Sequence, residues 1–152
     1  MHCLGRTLLW AIFLLPATSV APVLADECET KAAEIAGRIG LNAGARTKAN
    51  FIPLSARTDE DDDYGAYLNC VGPHGMSLRY VSPPNPSEKW FEFVGRTSAI
   101  LTGIKATRIA TEARSCVDTA RSHDGYSESP SPAFMLCDAD KDMRAEILIG
   151  ER

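Results

Sequence analysis

Residues 85–125, NPSEKWFEFVGRTSAILTGIKATRIATEARSCVDTARSHDG, decide how this chain folds. Asn85-Pro-Ser-Glu88 reads as a capping box: Asn85 can cap, Pro86 suits the first helical position, and Glu88 lies three residues after the cap. At the far end Arg121 and His123 suit the negative end of a helix dipole, and Gly125 can take the left-handed terminating conformation. Between these limits the apolar face moves. Trp90, Phe93, Val94, Ile100, Leu101 and Ile104 share one stripe at 100° per residue. Past Gly103 the apolar set is Ala106, Ile109, Ala110, Ala113, Cys116, Val117 and Ala120, displaced by more than a quarter turn. A straight helix from Pro86 to Ser122 would be ~55 Å long, whereas a compact domain of this size is ~36 Å across. The segment is therefore expected to kink or to break briefly near Gly103.

Upstream of it, Ser82-Pro-Pro-Asn-Pro86 ends a run of strands. Tyr64–Val71 and Met76–Val81 read as a hairpin, and Ala49–Ser55 as a strand that Pro53 assigns to a sheet edge, because proline cannot donate to a ladder. Residues 58–63, which hold five consecutive acids, read as a solvated loop. Residues 26–40 form a first helix with Cys28, Ala32, Ile35, Ala36 and Ile39 on one stripe, ended by Gly40, Asn42 and Gly44. Downstream, the Ser-, Pro- and Gly-rich residues 124–132 read as a loop. Ala133–Cys137 and Arg144–Ile149 read as a closing hairpin.

These elements give an α+β fold in the order α-βββ-α-ββ: one antiparallel sheet of about five strands with the helices on one face. There is also an internal echo. Cys70 precedes Met76 by the same interval as Cys137 precedes Met143, so that each half reads as a helix followed by a cysteine-bearing hairpin. Two matched residues fall short of a repeat.

The extreme N-terminus bears on the compartment. Arg6 precedes the apolar run Leu8–Leu15, and Val23-Leu24-Ala25 supplies a small-residue cleavage site, the layout of a secretory signal over residues 1–25. The apolar run is about half the ~20 residues a spanning helix needs, and Asp26-Glu27 before Cys28 argues against lipidation. The expected product is a single domain, residues 26–152, in the periplasm or the medium, without a membrane anchor. It would carry 15 basic and 20 acidic residues. That balance, with no basic cluster, excludes nucleic acid as a natural partner.

Cys28, Cys70, Cys116 and Cys137 remain after the signal, and no two lie within twenty residues of each other. An even, widely spaced set in an oxidising compartment reads as two disulfides rather than a zinc site. The helix faces select Cys28 with Cys70 and Cys116 with Cys137, each tying a helix to a strand that follows it.

No constellation assigns a catalytic residue or a cofactor. His74 and His123 lie in no nucleophile or metal motif. Ser122-His123-Asp124 are sequence neighbours, whose side chains would point apart on a helix. Asp138, Asp140 and Asp142 alternate as at the start of a calcium loop, but Met143 and Ile149 stand where such a loop needs glycine and a bidentate glutamate. A hairpin turn accounts for the same residues. Core packing is the first reading of Trp90, Phe91 and Phe93. Left uncovered, the three rings would make a partner or dimer surface. The function expected is that of a binding or inhibitor-like module for an envelope or extracellular protein. A small hydrolase and a calcium-binding protein are the alternatives.

Overall fold

The elements are those that the apolar spacing dictates, extended at both margins of the sheet. A computed structural model describes residues 26–56, 64–71, 75–123, 125–129, 133–139 and 144–150. Helix α1 (Glu27–Ile39) is capped by Asp26, whose carboxylate accepts from the Cys28 N–H at 3.0 Å. It buries the predicted stripe of Cys28, Ala32, Ile35 and Ala36. Four strands follow: β1 (Leu41–Ala43), β2 (Phe51–Ala56), β3 (Ala66–Asn69) and β4 (Ser77–Val81). Then come α2 (Glu88–Thr102), α3 (Ala106–Ser122), β5 (Tyr126–Ser129), β6 (Phe134–Ala139) and β7 (Ala145–Gly150).

All seven strands form one antiparallel sheet in the order β1-β2-β3-β4-β7-β6-β5. The α+β class and both disulfides are as expected, Cys28–Cys70 and Cys116–Cys137 with Cα separations of 5.5 and 5.9 Å. The expectation of about five strands is corrected to seven. The two additions, β1 and β5, are the outermost strands, three and four residues long. Pro53 is also corrected: β2 is one strand in from the edge. Its proline still marks where pairing stops. Gly44 N–H donates to the Pro53 carbonyl at 2.8 Å, but the reciprocal bond needs the N–H that proline lacks, and β1 ends at Ala43.

The break at Gly103 is present. Gly103 closes α2 with φ of +70°, and its N–H bonds the Ala99 carbonyl. The start of α2 differs from the capping-box reading. Ser87, not Asn85, is the cap, its Oγ accepting from Trp90 N–H at 3.3 Å. Asn85 is held in a turn by its own N–H, which donates to the Pro83 carbonyl at 3.2 Å.

Helix α3 lies on β5 and β6, α1 on β1 and β2, and α2 between them over β4 and β7. The strand side chains that point toward this layer, among them Ile52, Leu54, Leu68, Leu78, Tyr80, Met135, Ile147 and Ile149, are fully buried. The Tyr80 hydroxyl meets Ser98 Oγ at 2.7 Å and joins the sheet to α2 inside the core. Burial drives the Tyr80 pKa well above the usual phenol value, and the Ser98 hydrogen bond opposes the shift.

Apart from β1 and α2, the topology is palindromic. One helix and the meander β2-β3-β4 meet another helix and the meander β5-β6-β7 through the antiparallel β4–β7 pair. Each disulfide joins the helix of one half to its middle strand, Cys116 to Cys137 within β6 and Cys28 to Cys70 just after β3. The echo between the cysteines is thus an echo between structurally equivalent elements.

Candidate functional site

Alternation along a strand sends every second side chain to the face that carries no helix. The register places Pro53, Tyr67, Arg79, Leu148, Leu136 and Glu128 side by side across six strands. At the 4.8 Å strand spacing this row is about 24 Å wide. The row beside it is Val81, Glu146, Asp138 and Tyr126. Tyr67, Val81 and Tyr126 are 46, 40 and 58% exposed, and together with Val71 they are the exposed large hydrophobic side chains among the described residues. Leu136 and Leu148 are half-buried without belonging to the core.

At the centre of this face Arg79 and Glu146 form a two-point ion pair, with Nε–Oε1 at 2.6 Å and Nη2–Oε2 at 2.8 Å. The Glu146 hydrogen bond holds the guanidinium pKa above its ordinary value. Both groups remain substantially exposed, so the pair adds little to stability and leaves one positive and one negative centre accessible. Asp138 stands across from Glu146, a like-charge neighbour that no cation on this face balances among the described residues. The surface is an apolar, aromatic band around a fixed charge pair, with an acidic margin toward β5 and β6.

On the opposite side of the molecule α2 and α3 fold back against each other. A Cβ on Gly95 would lie 2.4 Å from the Ala106 carbonyl oxygen and 3.0 Å from Ala110 Cβ, so the contact depends on the absent side chain. The two helices enclose a groove of about 440 Å³. Arg114 closes one end: it pairs with Glu88, and its guanidinium lies 4.9 Å from the centroid of the Phe91 ring.

Trp90, Phe91 and Phe93 are 0, 5 and 6% exposed, so they are core side chains, and of the three only Phe91 borders the groove. Trp90 and Phe91 meet edge to face with centroids 5.0 Å apart, and Phe93 meets Tyr80 in the same manner at 6.0 Å. Asp138 is exposed on the helix-free face, while Asp140 and Asp142 lie outside the described residues, as does the acidic run 58–63. No cluster of three potential metal ligands occurs among the described residues.

Ser122 Oγ and His123 Nδ1 do approach, at 2.9 Å, because His123 leaves the helix as its C-cap with φ of −128°. Both groups also contact the Thr119 carbonyl, at 2.9 and 3.1 Å. Ser122 and His123 thus gather at the Thr119 carbonyl, where their contacts close the end of α3.

Alternation in Ala66-Tyr67-Leu68 and Leu78-Arg79-Tyr80 is the signal that could have exposed the central pair. The ion partner on β7 could be found only with the sheet order. Among known proteins, no family model, no curated sequence and no solved structure matches this chain. No helix among the described residues is long and apolar enough to cross a membrane. The two disulfides are those of a protein that matures in an oxidising environment.

Proposed function

We propose that the protein is an exported, non-enzymatic binding module that holds a partner protein on the helix-free face of its sheet. One observation carries the reading. Three of the four exposed large hydrophobic side chains among the described residues, Tyr67, Val81 and Tyr126, stand on that one face around the Arg79–Glu146 pair. Concentration of apolar exposure on one rimmed surface is a mark of protein interfaces, and tyrosine and arginine are the side chains enriched at their centres. A fitting partner is an envelope or extracellular protein with an apolar patch and opposite charges placed to meet Arg79 and Glu146.

Export is supported by the signal-like residues 1–25 and by the disulfides. Cleavage after Ala25 would spare the fold, since the first residue left, Asp26, is the cap of α1.

A photo-crosslinking side chain placed at Tyr67 or Tyr126, with one at Arg108 on α3 as the control, tests the reading. Irradiation in an extract of the source cell's envelope and medium is expected to give the same discrete adduct from both sheet positions and none from the control. Adducts of equal yield from all three positions, or none from the sheet face, would overturn it.

A further inference from the structure

The groove between α2 and α3 carries a second inference, independent of the sheet face. Its floor is apolar, made by Phe91, Ala106 and Ala110, and the two alanines are half-buried where α3 packs against Gly95. One end is shut by the Glu88–Arg114 pair, which neutralises itself. Two charged groups are left facing the space, Glu92 and Arg96.

These two are spaced to pair, as some helical neighbours in this chain do. Glu92 and Arg96 stand at i and i+4 with the acid first, the favoured order for an ion pair. Glu34 and Arg38 have the same order and pair at 3.6 Å, and Arg108 and Glu112 pair at 2.8 Å. The Glu92 and Arg96 side chains make no ion pair or hydrogen bond with each other or with any other described residue. A free carboxylate and a free guanidinium thus sit one helical turn, about 6 Å, apart along the rim of an apolar pocket.

We propose that this groove binds a small zwitterion with an apolar side chain, the chemistry of a free hydrophobic α-amino acid. The ammonium group meets Glu92 and the carboxylate meets Arg96 through charge-assisted hydrogen bonds. The side chain lies on Phe91, Ala106 and Ala110. A volume of about 440 Å³ is within the range of small-molecule sites, and the mixture of apolar walls with a few polar groups is their usual makeup.

Isothermal titration of the oxidised protein with each of the twenty free amino acids tests the proposal. Leucine, isoleucine, phenylalanine or methionine is expected to bind with a Kd below about 10 mM, the weakest affinity that ordinary ligand efficiency allows for so few atoms. The amide and the N-acetyl derivative of the best ligand are expected to bind about tenfold more weakly, each having lost one charge-assisted contact. Arg96→Gln should erase the preference for the acid over the amide, Glu92→Gln the preference for the free amine over the N-acetyl form. Thr111→Trp, at an exposed position on the groove wall, should abolish binding while thermal unfolding stays unchanged. The proposal is overturned if no apolar amino acid binds within that limit. It is equally overturned if the derivatives bind as well as the parent, or if binding survives Arg96→Gln and Thr111→Trp together in protein with unaltered melting.

Discussion

Asp26 caps α1 through the Cys28 N–H and also pairs with Arg46, and these contacts, in that order, hold its pKa below the ordinary carboxylate value. The sign of the stability effect follows. A carboxyl whose folded pKa is depressed contributes fully above its unfolded pKa, and the contribution is lost as pH falls through the folded value. Asp26→Asn keeps a capping oxygen and removes only the charge. The variant is expected to be less stable than the parent near pH 7, with the difference closing as pH drops below the unfolded carboxylate pKa of ~3.9. Urea midpoints across that range measure it. A difference that stays constant with pH would assign the contribution to the cap and not to the charge. Gly103 is a second test at this scale. A Cβ there would touch nothing within 4 Å, so the cost of Gly103→Ala comes from the left-handed backbone alone, about 1 kcal/mol. Gly103→Asn should lose less, because asparagine tolerates that region, and the two urea curves compared decide it.

The α2–α3 contact sets a helix preference against a steric one at Gly95. Alanine is favoured over glycine inside a helix by about 1 kcal/mol. Its Cβ would meet a backbone oxygen at 2.4 Å, which no rotamer change relieves, and overpacking of this kind costs about 1 to 3 kcal/mol. Gly95→Ala is therefore expected to destabilise, by up to about 2 kcal/mol in urea unfolding; a gain in stability would show that the helices separate freely. Element by element, legibility followed burial. Helices α1, α2 and α3 bury a stripe, and the displacement of that stripe past Ile104 announced the break at Gly103. The strands β2, β3, β4, β6 and β7 were legible for the same reason, since each carries side chains such as Leu54, Leu68, Leu78, Met135 and Ile147 that the helices cover. The margins of the sheet were not. Strand β1 is only Leu41-Asn42-Ala43, with one buried side chain, and β5, Tyr-Ser-Glu-Ser, has none fully buried. Such segments are strands because a neighbour offers a ladder, and no local pattern encodes that. The central pair of the helix-free face was hidden likewise: Arg79 and Glu146 are 67 residues apart and meet only through the β4–β7 register.

At the scale of the molecule, the two halves are joined by a sheet seam and by helix packing, and neither disulfide crosses from one to the other. The loops closed by Cys28–Cys70 and Cys116–Cys137 have sequence separations of 42 and 21 and do not overlap. In the chain-entropy model a cross-link acts on the unfolded chain, stabilising by about 4 kcal/mol for the longer loop and about 3 kcal/mol for the shorter. Since the loops are disjoint, closing one leaves the conformational freedom lost in the other nearly unchanged. The cycle of Cys28→Ala with Cys70→Ala, Cys116→Ala with Cys137→Ala, and all four together is therefore expected to be additive within about 0.5 kcal/mol, as for distant independent sites. The sum, about 7 kcal/mol, is of the order of the whole stability of a domain this size. Each double variant should fold at room temperature with a lowered urea midpoint, and the quadruple variant should be largely unfolded. The chain would then hold its native structure only where at least one bridge can form. A quadruple variant that keeps a cooperative transition several molar into urea would show instead that the β4–β7 seam and the shared helical layer suffice without them.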